Sequence, residues 1–296
     1  MSIAKVYSRA QVGIDAPLVT VEAHVTNGLP AITLVGLAET AVRESRDRVR
    51  AAILSSGYEF PPKRLTINLA PADLPKEGAR FDLAIAVAIL AVTGQIPGKS
   101  AEDALHQLRN YEFLGELSLD GGIRQVTGAL SAAITTRDAN RILILPRASA
   151  NEVSVIKDVH ALAAGHLTAV IAHLAGHTPL DQVIQRKLEP IDPALDGDLF
   201  EVRGQPRAKR ALSIAAAGQH NLLLIGPPGA GKSMLAQRLT GILPPMTETE
   251  AIESARIASI SSAGFSPERF GIRHFRNPHH SASAVALIGG GETSNN

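Results

Sequence analysis

The chain has 296 residues, 45% hydrophobic and 19% charged, and at roughly 100–200 residues per domain that length suggests about two domains with real cores. Lysines and arginines number 29 and acids 28, a net charge of +1, which excludes attachment to nucleic acid by global charge alone. With no cysteine, no tryptophan and 3% aromatics, disulfides, thiolate metal sites and a cysteine nucleophile are excluded, and aromatic stacking platforms are disfavoured.

The lack of cysteine accords with a reducing cytoplasm. The amino-terminal MSIAKVYSRAQVG holds no apolar stretch of signal-peptide length. Residues 17–27 (PLVTVEAHVTN) put Val19, Val21, Ala23 and Val25 on one face, a period-2 strand ending at an Asn27-Gly28 turn. Residues 31–36 read as the next strand. Residues 38–56 carry Glu39/Arg43 and Glu44/Arg48 at i,i+4, with Val42, Val49 and Ile53 on another face, and predict a helix stopped by Gly57. Residues 64–69 (RLTINL) form a further strand. A loop over 71–80, punctuated by Pro71, Pro75 and Gly78, leads to a mostly apolar helix at 81–93. Its stretch 83–92 is the longest apolar run, far short of the roughly 20 residues that span a membrane.

Residues 113–119 predict a strand, Asp120-Gly121-Gly122 a turn, and 126–137 and 148–156 short helices flanking an apolar strand at 142–145. Residues 161–176, broken by Gly165, His166 and His173, read as a buried helix. Strands mixed with short helices predict an α/β domain over residues 1–175, expected to fold independently. Residues 176–198, interrupted by Gly176, Pro179, Pro190, Pro193 and Gly197, read as a linker, and residues 199–296 as a second unit.

The second unit carries the most specific motif. Gly226, Pro227, Pro228, Gly229, Ala230, Gly231, Lys232 and Ser233 match the phosphate-loop pattern G-x-x-x-x-G-K-[ST]. Leu222 to Ile225 predict a short strand before it, and residues 234–240 a helix after it. Glycines there let main-chain N–H groups face phosphate oxygens, and the helix start adds positive potential. Lys232 is expected at the β- and γ-phosphates of ATP, and the Ser233 hydroxyl on Mg²⁺. Upstream, residues 202–217 (VRGQPRAKRALSIAAA) predict a helix opened by Gly204-Gln205-Pro206. Its Arg203, Arg207, Lys209 and Arg210 form a solvated face, a phosphate or nucleic-acid contact, or an intersubunit contact.

The order Gly-Gln, basic helix, apolar strand and GPPGAGKS resembles an AAA+ ATPase. The wording of residues 16–25, 36–51 (GLAETAVRESRDRVRA), 68–80 (NLAPADLPKEGAR), 204–235 and 277–291 (NPHHSASAVALIGGG) resembles the magnesium-chelatase-like YifB/ComM family, over nearly the whole chain to about Gly291. The resemblance implies an amino-terminal domain of the ribosomal-protein-S5-like superfold, similar to the Lon-protease and RadA carboxy-terminal domains, followed by a P-loop AAA+ module. It further implies hexameric, ATP-driven motors that promote DNA branch migration in recombination during natural transformation, or, by analogy with magnesium chelatase, metal insertion into a tetrapyrrole. A third reading is a non-enzymatic binding or assembly module. Fold likeness alone does not choose between these uses.

The Lon resemblance raises a Ser–Lys dyad, but no serine or threonine lies between Ala70 and Val92, where the nucleophile would fall. No lysine lies in residues 126–131 (VTGALS), where its base would fall. Nucleophile and base work only together, so proteolysis is not expected. Lys76 and Arg80, flanking a loop, and Arg43, Arg46, Arg48 and Arg50, among Glu44 and Asp47, read as a solvated face or a DNA contact. His160, His166, His173 and His177 lack a zinc spacing, and His279-His280 read as local structure or a DNA-channel contact. Hydrolysis by an AAA+ motor also needs acids at the end of a second core strand and an arginine from a neighbouring subunit. No apolar strand ending in two acids follows Ser233, and Glu292, after Gly289-Gly290-Gly291, lies on none. The expectation is therefore the front part of a longer protein or a truncated product, with the phosphate-loop strand left unpaired.

Overall fold

A computed structural model describes residues 3–35, 40–76, 78–97, 101–187, 197–261, 264–278 and 281–282. The chain divides into two compact units, Met1–Leu188 with Ile252–Phe270, and Glu189–Ala251 with Gly271–Asn296.

The first unit is an α/β structure built on a mixed eight-stranded sheet. In chain order it comprises β1 (Ile3–Arg9), β2 (Leu18–Thr26), β3 (Ala31–Val35), α1 (Thr40–Ser55), β4 (Arg64–Ala70), α2 (Asp82–Val92), α3 (Ala101–Gln107), β5 (Tyr111–Phe113), β6 (Glu116–Leu117), β7 (Ile123–Arg124), α4 (Ala129–Asp138), β8 (Ile142–Pro146), α5 (Ala150–Val153), β9 (Ala161–Ala164), α6 (Leu167–Leu174) and β10 (Asp181–Gln182). The spatial order is β10-β9-β8-β5-β1-β2-β4-β3, with β6 and β7 forming a separate hairpin. β1 runs antiparallel to β2, and β2 to β4; the pairs β1–β5, β5–β8, β8–β9 and β3–β4 are parallel.

The period-2 pattern of residues 17–27 becomes β2, with Val19, Val21 and Ala23 fully buried. The apolar helix α2 is buried from Asp82 to Ala91 and packs on β1 and β2, while α1 presents Val49 and Ile53 to the same core. Alternation along β8 sends Ile144 into that core and Leu143 and Leu145 into a second one with Ala129, Ala132 and Ala133 of α4. Apolar side chains on both faces explain why β8 reads as a continuous apolar run.

Three stretches differ from their sequence patterns. The amino-terminal segment, assigned no element from sequence, is a full strand whose Ala4, Val6 and Ser8 turn inward. Residues 113–119 do not form one strand. The Gly115 N–H donates to the Arg80 carbonyl and its own carbonyl accepts from Leu83, so the chain leaves the sheet there for the β6–β7 hairpin. Residues 161–176 are not one helix but a strand, β9, and a helix, α6. Gly165 and His166 separate them, and His166 Nδ1 caps α6 by accepting from the Thr168 amide.

The two sides of the sheet meet where β1 lies beside β5, in register at Tyr7 and Glu112. There the fully buried Glu112 carboxylate accepts from Arg9 Nε (2.6 Å) and Nη2 (2.7 Å), Thr136 Oγ1 (2.7 Å) and Arg141 Nη1 (2.9 Å). Arg9 also donates to the carbonyls of Ala16 and Thr135, and Arg141 stacks over the Tyr7 ring at 4.2 Å. Four segments are thus tied to one carboxylate.

The second unit is smaller. It contains α7 (Pro206–Gly218), α8 (Lys232–Gln237) and the start of α9 (Glu248–Ile260), whose residues from Ile252 belong to the first unit. Its core is Val202, Leu212 and Leu235, with Leu199, Leu224, Leu239 and Ile242 partly buried around them. Among the described residues it has no strand.

Two outcomes are expected. Glu112→Ala leaves two guanidiniums without their counter-ion and should cost about 3 kcal/mol or more, read from the urea midpoint of the first unit's transition. Glu152, on α5, is pushed by burial up to about 7, against the pull of the Leu130 amide and the Ser259 hydroxyl. Its folded value lies above the ordinary 4.5, so the folded form holds more protons across that window and stability falls as pH rises through it. Glu152→Gln should remove about 2–3 kcal/mol of that decline between about pH 5 and pH 8, measured by parallel urea titrations of the two proteins.

Candidate functional site

The glycine-rich segment enters α8 directly, with Gly231 in a left-handed conformation (φ +84°) as the residue before Lys232. Gly229 is also left-handed (φ +78°), a conformation that side chains with a Cβ resist. Pro227 and Pro228 have no N–H and the Ala230 N–H donates to the Pro227 carbonyl at 3.3 Å, so after Gly226 the main-chain donors the loop can offer are those of Gly229, Gly231, Lys232 and Ser233. The loop from Gly226 to Gly229 is exposed. Lys232 folds back across it, its ammonium donating to the carbonyls of Gly226 and Pro227, each at 2.8 Å. Ser233 is exposed beside it at the start of the helix.

Gln205, identified from sequence only as part of a helix start, has a larger part in this arrangement. Its side-chain amide donates to the Ala230 carbonyl at 3.2 Å, joining the start of α7 to the loop. The signal for it was present in Gly-Gln-Pro: Gln205 takes a left-handed backbone (φ +51°) ahead of Pro206 at the first helical position. Arg203, Arg207 and Arg210 are exposed around the same helix start, and neither they nor Lys209 form an ion pair with a described residue.

The strand expected from Leu222 to Ile225 is not formed. No described strand lies beside it, and a single strand cannot satisfy its N–H and C=O groups. Only Leu224 packs against the small core, while Leu223 and Ile225 are 80% and 87% exposed.

Of the cations considered for a basic surface in the first unit, Lys76 and Arg80 turn inward, Arg48 is half-buried, and Arg46 and Arg50 stay exposed. Lys76 is fully buried and donates to the carbonyls of Pro71 (2.5 Å) and Leu74. Arg80 is buried as well. Arg48 Nε pairs at 3.0 Å with Asp82, whose carboxyl burial pushes up to about 6. Arg46 pairs with its neighbour Asp47, and Arg50 lies over the Phe60 ring. The side chain of Arg43 lies outside the described residues.

His166 and His173 have structural partners. His166 bonds the Asp120 carbonyl besides capping α6, and His173 Nδ1 accepts from the Leu180 amide while its ring meets Tyr111 edge-on. Among the described residues no group of three or more His, Asp or Glu side chains could hold a metal ion. His279, His280, Gly289, Gly290, Gly291 and Glu292 lie outside the described residues.

Residues 21–149 match the family described as subunit ChlI of Mg-chelatase, and residues 198–296 match magnesium chelatase, subunit ChlI. The chain is 50% identical over 291 residues to the YifB protein of Salmonella typhimurium and 48% identical to YifB of Escherichia coli. It is 48% identical over 294 residues to the competence protein ComM of Haemophilus influenzae. In each case 98% of this chain is covered and 56% of the relative, so the chain spans little more than half the length of these proteins.

Open space surrounds Gly229, and a Cβ on Gly231 would meet only the Gln205 amide at 3.6 Å, so backbone strain alone resists substitution there. Gly231→Ala should therefore destabilise the second unit by about 1–2 kcal/mol. Gly226→Ala, free of a positive φ and 3.6 Å from the Ala230 Cβ, should stay within about 0.5 kcal/mol. Hydrogen-exchange protection of α8 amides in the two variants measures the difference.

Proposed function

The chain belongs to the magnesium-chelatase-like YifB/ComM family, and on that premise we propose that it binds Mg-ATP through Gly226, Pro227, Pro228, Gly229, Ala230, Gly231, Lys232 and Ser233. The observation that carries the reading is the Lys232 ammonium, held in an exposed glycine loop by two carbonyl oxygens and no carboxylate. Phosphate oxygens are better acceptors for an ammonium than neutral carbonyls, so a triphosphate can displace both contacts. Amides of Gly229, Gly231, Lys232 and Ser233 then face the same oxygens at the helix start. The Ser233 hydroxyl sits one residue on, where it can ligate Mg²⁺. Held there, the ion would neutralise phosphate charge. Gln205 fixes the loop from behind through the Ala230 carbonyl.

For this chain the proposal is binding. Hydrolysis needs acids that hold Mg²⁺ and orient water, and an arginine donated by a neighbouring subunit. We assign those parts to the complete protein, where the second unit becomes an AAA+ α/β module and residues 199–296 its front part. Residues 1–175, within the first unit, are then an S5-like domain of the Lon and RadA kind, serving as an assembly or DNA-adjacent surface in the cytoplasm. Among the described residues no helix is long and apolar enough to cross a membrane.

The name competence protein, carried by the Haemophilus relative, supports the reading in which complete members form hexameric, ATP-driven motors on branched DNA. The chelatase description of the matched family supports the alternative, metal insertion into a tetrapyrrole. ATP turnover by a full-length protein carrying these residues separates them: stimulation by branched DNA favours the motor, stimulation by a porphyrin the chelatase.

The direct test is calorimetric titration of the 296-residue chain with Mg-ATP. Lys232→Ala should weaken binding by about 100-fold, the equivalent of about 3 kcal/mol for a charge-assisted contact. Equal affinity in the variant, or no heat with the unaltered chain, would overturn the nucleotide reading.

A further inference from the structure

The first unit contains a groove of about 570 Å³ whose lining includes Gln11, Gly78, Arg80, Glu116, Gln125 and Thr127. Arg80 is 5% exposed and lies at its floor. Its Nη2 donates to Gln11 Oε1 at 2.8 Å and to the Thr127 carbonyl at 2.5 Å, and its Nη1 reaches the Arg9 carbonyl at 3.4 Å. All three acceptors are neutral. Of the five N–H groups of a guanidinium, Nε–H and one on Nη1 remain.

The same unit shows how this fold treats other inward-facing guanidiniums. Arg9 meets Glu112 in a bidentate pair, and Arg48 meets Asp82. Among the described residues Arg80 has no such carboxylate, and burial alone depresses it to about 10. A buried cation without a counter-ion is unfavourable, and the one guanidinium left in that state lines the groove.

We propose that this groove binds the free carboxylate of an amino acid or of a peptide carboxy terminus, which completes the ion pair that Arg80 lacks. With both Nη2 protons engaged, neither edge of the guanidinium is free for a two-pronged contact, so a carboxylate oxygen takes the remaining Nε–H or Nη1–H as a single charge-assisted bond. Gln11 Oε1 already accepts from Arg80 and from Thr127 Oγ1, so its amide N–H groups are left to donate to a peptide carbonyl. Gln125 offers both a donor and an acceptor nearby. The same lining contains Glu116, whose contact with Arg124 is long at 3.5 Å, and no second cation. A phosphate-rich backbone would be repelled there, whereas a ligand with one anionic end and an ammonium or amide body is matched.

The test uses the full chain and three probes: trialanine, trialanine amide and free alanine. Binding is followed by calorimetry and by the backbone amide signals of Gln11 and Thr127. Trialanine should bind at least about tenfold more tightly than its amide, at millimolar or better affinity, and should shift both signals. Free alanine binding as well as trialanine assigns the amino acid as ligand; weaker binding assigns the peptide terminus. Arg80→Lys, which keeps the charge and loses the free guanidinium N–H groups, should weaken the acid by about tenfold and leave the amide unchanged. Because Arg80 also joins three segments, Glu116→Gln provides a variant outside that junction. It should weaken trialanine by about threefold by removing the carboxylate that faces its ammonium. Indistinguishable binding of acid and amide, no binding of either at about 10 mM, or displacement of trialanine by a DNA duplex would each overturn the proposal.

Discussion

The Arg9–Glu112 ion pair holds together the two sides of the large sheet. On one side of it stand β2, β3 and β4; on the other stand β8, β9 and β10. Strand β1 touches β5 over a short parallel register centred on Tyr7 and Glu112, so backbone hydrogen bonding alone joins the two sides weakly. A carboxylate with four donors from Arg9, Thr136 and Arg141 supplies the rest. Such a cluster is costly to desolvate and strongly favourable only when every lone pair is used, which makes it a device for specifying one strand order rather than a surplus of stability.

Two sets of described cations contrast by the groups that hold them. Arg9, Arg141 and Arg48 are locked by carboxylates and have no capacity to spare for a ligand. Lys232 and Arg80 are held by carbonyl or amide oxygens, weaker acceptors that an anion can replace. The first set organises the sheet. The second marks an exposed loop in one unit and a groove in the other, and both lie where glycine or irregular backbone brings carbonyls close to a charged side chain.

Much of the first unit was legible because its elements carry strong local patterns. Residues 17–27 alternate, residues 38–56 repeat at helical spacing, and residues 81–93 are apolar on every side, and each forms the expected element within one or two residues at either end. The strand at Ala161–Ala164 was hidden because three alanines and a leucine carry no period and resemble the apolar helix that follows. The break at Gly115 depends on hydrogen bonds to Arg80 and Leu83, more than thirty residues away in sequence. At the loop, the glycines, Lys232 and Ser233 were found by spacing alone, while the contact from Gln205 was missed because a side-chain bond across 25 residues leaves no periodic trace.

The sequence by itself determined where the chain must turn and which short stretch can face a polyanion. Glycine, proline and the lysine–serine pair act through local backbone geometry, and family likeness extends over 98% of the chain. Only the tertiary structure decided which apolar stretches become strands. Residues 142–145 found partners in β5 and β9 and joined the sheet; Leu222 to Ile225, no less apolar, found none among the described residues and stayed irregular. Tertiary structure also turned Lys76 and Arg80 from apparent surface charges into buried ones. A strand or a buried charge exists only by virtue of what lies across from it, and that is set by residues far away along the chain.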